Sequence, residues 1–298
     1  MNFIKRIFLF VLINLLVVLT ITTLLSVFNV SPYLNAHGLN INSLAIFCLL
    51  WGFTGAFISL FLSKSLAKWM MGVEIIEESS NSESLKFVFD SVKKIALEAG
   101  LDDMPEVGVY KSEEINAFAT GPSKKRSLIA LSSGLINRMS KDEIEAIIGH
   151  EISHITNGDM ITMTLLQGVI NAFVMFLARV LAFALSSNKK NRSSYGSGHY
   201  FFVYIFQILF MILGSLVVAF FSRKREFRAD ENSANLLGKE KMIKALNTLK
   251  SVYDIKDLKK EKLAFQALKI SNNSKRGLLN LFSTHPALDD RIQRLKDL

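Results

Sequence analysis

His150-Glu-Ile-Ser-His154 is an H-E-x-x-H sequence. Residues four apart share one face of a helix, so the two imidazoles can bind one Zn²⁺ from the same side. Zinc lowers the pKa of a bound water to about 7, and a neighbouring carboxylate can take that water's proton as the water attacks a carbonyl carbon. Glu151 is placed for that role. A catalytic zinc takes three protein ligands and keeps one open position. The longer H-E-x-x-H-x-x-G-x-x-H form is absent, because Asn157 and Met160 stand at its glycine and third histidine. The third ligand therefore comes from elsewhere in the chain: His37 and His199 fall in outer loops, on the wrong side if the last hairpin spans, while His285 and Glu226 are the candidates. Glu226 is favoured, since it follows an apolar helix that can return the chain to the H-E-x-x-H helix. Asp230 lies one helical turn beyond it and can accept the free ring N–H of a metal-bound histidine. The alternative for both acids is a self-pairing surface charge run over Arg223–Glu231.

The chain must hold these residues on elements. Ser140-Lys-Asp-Glu143 has the S-x-x-E form that opens a helix, and Asp142 and Glu143 suit the positive end of its dipole. Upstream, Leu85, Val88, Phe89, Val92, Ile95 and Ala96 make a helical stripe over Glu83–Ala99, stopped by Gly100. Glu106–Tyr110, Ile115–Thr120 and Ser127–Leu131 read as short strands joined by turns, and predict a small antiparallel sheet.

Charge is distributed unevenly. The 298 residues are 50% hydrophobic and 20% charged, with a net charge of +9. Disorder and collagen are excluded by that composition, and one cysteine, Cys48, excludes a disulfide scaffold. Ile7–Ser63 holds no Asp, Glu, Lys or Arg, Met160–Asn188 holds only Arg179, and Ser193–Ser222 holds none. Segment 64–159 carries 11 basic and 16 acidic residues, whereas 222–298 carries 18 and 10.

Four apolar helices in two hairpins follow: Ile7–Phe28, Ile41–Leu62, Ile161–Leu185 and Phe201–Phe221. Twenty-two residues of helix span about 33 Å, against a hydrocarbon core of about 30 Å. The first helix is longer than a signal-peptide core and precedes no A-x-A-like site, so it reads as an uncleaved anchor. Lys5, Arg6, Lys64, Lys68 and Arg223–Arg225 flank the helices and place the soluble parts in the cytoplasm. Lys189, Lys190 and Arg192 oppose that rule in the last hairpin's loop, while helix length favours spanning. Gln167 and Asn171 share one face and should find partners in the protein interior. Arg179 is expected to snorkel towards the interface. The basic excess is thus an orientation signal, and the tail lacks any nucleic-acid-binding motif.

With these residues in view the chain resembles the HtpX-like membrane zinc metalloproteases, relatives of the CAAX prenyl proteases. The resemblance rests on the apolar helices, Glu113-Glu-Ile-Asn-Ala-Phe-Ala-Thr-Gly121, His150–His154 with Asn157-Gly-Asp159, Arg225-Glu-Phe-Arg-Ala-Asp230, and Thr284-His-Pro286. It implies His150, His154 and Glu226 as zinc ligands, Glu151 as general base and acid, and Asp230 as a support for a ligand histidine. It also implies that Asn116, Ala117 and Phe118 form an edge strand that pairs with extended substrate, although an ordinary sheet strand has the same composition. His285 and Arg291 match an H-P motif and a following arginine, and His285 is a candidate oxyanion donor, against a plain helix start at Pro286.

The expectation is a mainly α integral membrane protein carrying an α+β zincin-type (gluzincin-like) peptidase domain. Its parts are an N-terminal transmembrane hairpin (1–63), a peptidase segment (64–159), a second hydrophobic hairpin (160–221) and a helical segment bearing the third ligand (222–298). One Zn²⁺ per chain, misfolded or unfolded membrane-protein substrates, a bacterial plasma (inner) membrane location with a cytoplasmic active site, and no nucleic-acid partner complete the reading. A CAAX-type prenyl protease is the nearest alternative enzyme, and a non-catalytic membrane scaffold with an incidental metal site is the alternative outside enzymes.

Overall fold

The computed structural model describes residues 41–186, 197–264 and 283–298. The expected first helix, Ile7–Phe28, lies outside them, as do His37 and the basic residues of the last hairpin's loop. The described residues divide into two compact units: 41–59 with 164–186 and 197–215, and 60–163 with 216–264 and 283–298.

The first unit is built from parts of α1 (Ile41–Met71), α5 (Asp159–Ser186) and α6 (Ser197–Leu237). All three helices are long and apolar enough to cross a membrane. Ile46, Leu50, Phe173, Phe201 and Tyr204 leave their side chains exposed, as a lipid-facing surface does. Small residues let α1 meet α5, because a Cβ on Gly52 would sit 2.6 Å from the Gly168 carbonyl oxygen and 2.7 Å from the Ala172 nitrogen. Gln167 pairs with Asn171, Nε2 donating to Oδ1 at 2.8 Å. Arg179 donates to the Met175 carbonyl at 3.0 Å and lies 5.9 Å from the Phe47 ring centroid.

The second unit holds the chemistry-bearing residues. After α1, Gly72 takes φ 62°, a left-handed turn that suits glycine, and the chain enters β1 (Glu74–Ile75). Next come α2 (Glu83–Glu98), β2 (Glu106–Tyr110), β3 (Ala117–Thr120), β4 (Leu128–Ser132), α3 (Ser133–Arg138) and α4 (Lys141–Thr156). Helices α7 (Lys239–Ala264) and α8 (Leu288–Lys296) follow α6. The sheet order is β1-β2-β4-β3.

The sheet is mixed, which corrects the expected antiparallel one. Strand β3 forms an antiparallel pair with β4, Phe118 facing Ala130, but β4 inserts between β3 and β2 and runs parallel to β2. The reason is hydrophobic: Leu128-Ile-Ala-Leu131 is an uninterrupted apolar run, every residue of β4 is buried, and such a strand belongs in the middle of a sheet. Its burial leaves β3 as an edge. One core joins the sheet residues Val107, Ile129 and Leu131 to Val88, Val92 and Ile95 of α2, Ile148, Ile152 and Ile155 of α4, and Met242 and Leu246 of α7, with α4 against β3 and β4 and both α2 and α7 against α4.

One side chain fixes the start of the edge strand. The Ser132 hydroxyl donates to the Glu114 carbonyl (2.6 Å) and accepts from the backbone N–H groups of Asn116 (3.1 Å) and Leu135 (3.0 Å). Ser132→Ala orphans two donors, each costing about 1–3 kcal/mol when buried. Hydrogen exchange at the Asn116 and Leu135 amides should accelerate in that variant, and unchanged protection would contradict the assignment.

Candidate metal centre

Helix α4 begins as expected. The Ser140 N–H donates to Glu143 Oε2 at 2.7 Å, and Thr248 of α7 donates to the other carboxylate oxygen at 2.6 Å. The helix then presents His150 and His154 on one buried face. Helix α6 is longer than the expected Phe201–Phe221, because no proline or glycine interrupts it between Gly214 and Gly238. Glu226 and Asp230 therefore ride on it rather than on a separate tail element. Gly149 lets the two helices close: a Cβ there would lie 2.7 Å from Leu237 Cδ1 and 2.8 Å from Ser233 Oγ. Ser233 bridges them, donating to the Ala146 carbonyl at 2.8 Å.

This crossing brings three potential ligands together. Among the described residues, His150, His154 and Glu226 form a group whose ligand atoms all lie within 4.8 Å of one another. The two Nε2 atoms are 3.2 Å apart, His150 Nε2 is 3.4 Å from Glu226 Oε2, and His154 Nε2 is 3.4 Å from Glu226 Oε1. Zinc–ligand bonds of about 2.0–2.1 Å in a tetrahedron require donor separations of about 3.3–3.4 Å. The donor set therefore fits zinc in both type and spacing. His285 is not a member of the triangle. Its Nδ1 contacts Glu226 Oε2 at 2.9 Å, and most of its ring is exposed.

Each histidine has a carboxylate behind it. His150 Nδ1 is 2.9 Å from Asp230 Oδ1, near enough for the support expected of Asp230 but without the alignment of a hydrogen bond. Arg291 of α8 clamps Asp230 with two bonds of 2.6 Å, from Nε and Nη2. His154 Nδ1 is 2.7 Å from Asp159 Oδ2, and Arg228 donates to Asp159 Oδ1 at 2.7 Å. The contacts of Asp159, Arg228 and Arg291 had no counterpart in the sequence reading. The Asn157-Gly-Asp159 and Arg225–Asp230 runs contained two of these residues, but nothing local shows which atoms meet. Glu151 is buried beside the pair, at 9% exposure.

The expected substrate strand is an edge strand in contact with α4. Its residues differ in what their backbones offer. Asn116 is committed to the sheet, since its carbonyl accepts from Ser132 N at 2.9 Å. Antiparallel ladders alternate, so Phe118 pairs inward with Ala130, and Ala117 and Ala119 turn their N–H and C=O groups to an edge that no strand among the described residues covers. The Phe118 ring packs 5.6 Å from that of Tyr110.

Comparison with known proteins bears on this geometry. The profile of Peptidase family M48 matches residues 85–298. The chain belongs to peptidase family M48. It is 50% identical to "Protease HtpX homolog" of Bacillus subtilis (strain 168), over 98% of this chain and 99% of that one. It is 44% identical to "Protease HtpX" of Thioalkalivibrio sulfidiphilus, over 98% of each. Among solved structures, the crystal structure of S. mikatae Ste24p matches with a TM-score of 0.58 at 18% identity, covering 83% of this chain and 56% of that one. The last likeness is one of fold. The M48 chain is thus a membrane protease of a metallopeptidase family, with a mostly helical fold around a small mixed sheet.

Charge at the centre sets a testable proton balance. Burial pushes the His150 pKa down, but the carboxylates of Asp230 and Glu226 outweigh it and lift the value to about 9. A metal that takes the Nε2 lone pair must displace this proton. Zinc loading at pH 7 should release protons to an indicator dye, and apparent zinc affinity should rise with pH until the imidazole is neutral, near pH 9. An affinity that does not change between pH 6 and 9 would contradict this balance.

Proposed function

We propose that this M48 protein is a zinc-dependent endopeptidase of a bacterial plasma membrane, acting at the cytoplasmic face on misfolded or unassembled membrane proteins. The observation that carries the reading is the convergence of His150 Nε2, His154 Nε2 and the Glu226 carboxylate, one oxygen 3.4 Å from each histidine and the two nitrogens 3.2 Å apart, a donor set that suits zinc. When bound there, zinc would supply Lewis acidity towards a water and a carbonyl oxygen.

The protein's own groups do the remaining work. Glu151, next to His150 on α4, accepts the proton of the attacking water and later returns it to the leaving amine. Its position on a buried face keeps bulk water from competing. His285 has Nδ1 on Glu226 and its outer ring edge exposed, so as the imidazolium, with both ring nitrogens protonated, it can donate from Nε2 to the oxyanion as it forms. An extended substrate lies along β3 and pairs with the outward N–H and C=O groups of Ala117 and Ala119. Backbone pairing reads no side chains, which suits substrates defined by being unfolded rather than by sequence.

The cytoplasmic placement is supported by Lys64, Lys68 and Arg223–Arg225 at the ends of the apolar helices. The basic segment after α6 suits an anionic leaflet. A prenyl-protein protease is the weaker reading. The relatives matched over nearly the whole chain are named Protease HtpX, and the chain spans only 56% of Ste24p.

Glu151→Gln tests the mechanism. General-base catalysis contributes about 10²–10⁴-fold, so the variant should bind zinc as the wild type does while cleaving an unfolded membrane substrate at least a hundredfold more slowly. Undiminished cleavage by the zinc-loaded variant would refute the role of Glu151.

A further inference from the structure

The structure places Asp159 and Arg228 behind His154, and we propose that this pair positions His154 for metal binding, as Asp230 and Arg291 do for His150. The inference rests on the zinc reading above. With His154 Nε2 turned to the other two ligands, Nδ1 must carry the ring proton, and Asp159 Oδ2 receives it at 2.7 Å. That bond fixes both tautomer and ring angle, and it raises the basicity of the ligating nitrogen.

Asp159 is 1% exposed, and a carboxylate so buried must have all of its charge answered. Oδ1 is answered by Arg228 Nη2 at 2.7 Å, from a different helix. Asp159 is also the first residue of α5, where the helix dipole favours a negative charge. The start of an apolar helix is thereby tied to one metal ligand. Arg228 stands midway between Glu226 and Asp230 on α6, so one helix supplies a ligand, one carboxylate partner and the clamp on the other. Two carboxylate–arginine pairs thus back the two histidines. Asp159 and Arg228 are positioning residues, acting only through His154.

The alternative is that Asp159 merely starts α5. Asp159→Asn keeps the side chain's shape and removes its charge, so weakened zinc binding with unchanged helix content by circular dichroism separates the two. Zinc dissociation constants measured by competition with a chromophoric chelator should rise about 10–100-fold in Asp159→Asn. The d–d spectrum of the Co²⁺-loaded protein should shift with it. Arg228 is half exposed, so Arg228→Gln leaves the fold least disturbed and serves if Asp159→Asn does not fold. It should weaken zinc binding by itself, and by much less when added to Asp159→Ala, because the two act as a unit. Wild-type zinc affinity in Asp159→Asn, or in Arg228→Gln, would overturn the inference. A wild-type protein that binds no zinc would overturn the metal reading and this inference together, which the chelator titration shows at once.

Discussion

Burying the Glu226 carboxylate takes an ion out of water, and such a group costs several kcal/mol unless partners replace the lost solvation. Its side chain is 2% exposed, and two imidazole nitrogens, a third histidine and the Arg225 guanidinium lie within 3.4 Å of its oxygens. Much of the second unit serves that arrangement. Gly149 and Ser233 let α4 and α6 close to the distance at which Glu226 meets both histidines. Helix α8 brings Arg291 to Asp230, and the residues just before it bring His285 to Glu226. The last 16 residues of the chain are thus part of the centre, although they lie more than 50 residues from Glu226 in sequence.

The same compensation runs outward in layers. Imidazoles surround a carboxylate, carboxylates back the imidazoles, and arginines back those carboxylates. The arginines answer the charge of the carboxylates behind the imidazoles, which is how ionised groups are accommodated away from bulk water. The result is a rigid donor set, and rigidity is what a site needs when its ligands must be aligned before the metal arrives.

Local signals in the sequence were reliable where the physics is local. The Ser140–Glu143 cap starts α4 at Lys141, and the Val-Gly-Val-Tyr run is a strand at Glu106–Tyr110. H-E-x-x-H spacing brought the two histidines to one face. The approach of Glu226 to the two histidines was legible too, because an apolar helix returning to the H-E-x-x-H helix constrains where Glu226 can lie. Parallel pairing of β2 with β4 was missed, since short turns suggested a meander, although the apolar run Leu128–Leu131 was the available signal. Continuation of α6 through Arg223–Asp230 was missed because a charged run after an apolar one looks like an end. The Asp159–Arg228 and Asp230–Arg291 contacts join residues 69 and 61 apart, a separation at which no periodicity survives. Gln167 and Asn171 were expected to find partners in the protein interior, and their four-residue spacing makes each the other's partner in one hydrogen bond.

X-ray absorption at the zinc edge of the purified protein tests the central claim most directly. The account predicts a first shell of two imidazole nitrogens and carboxylate or water oxygen at about 2.0–2.1 Å, with one imidazole lost in His150→Ala and the carboxylate contribution altered in Glu226→Gln. A shell containing sulfur, or one without imidazole scattering, or one left unchanged by both substitutions, would contradict it.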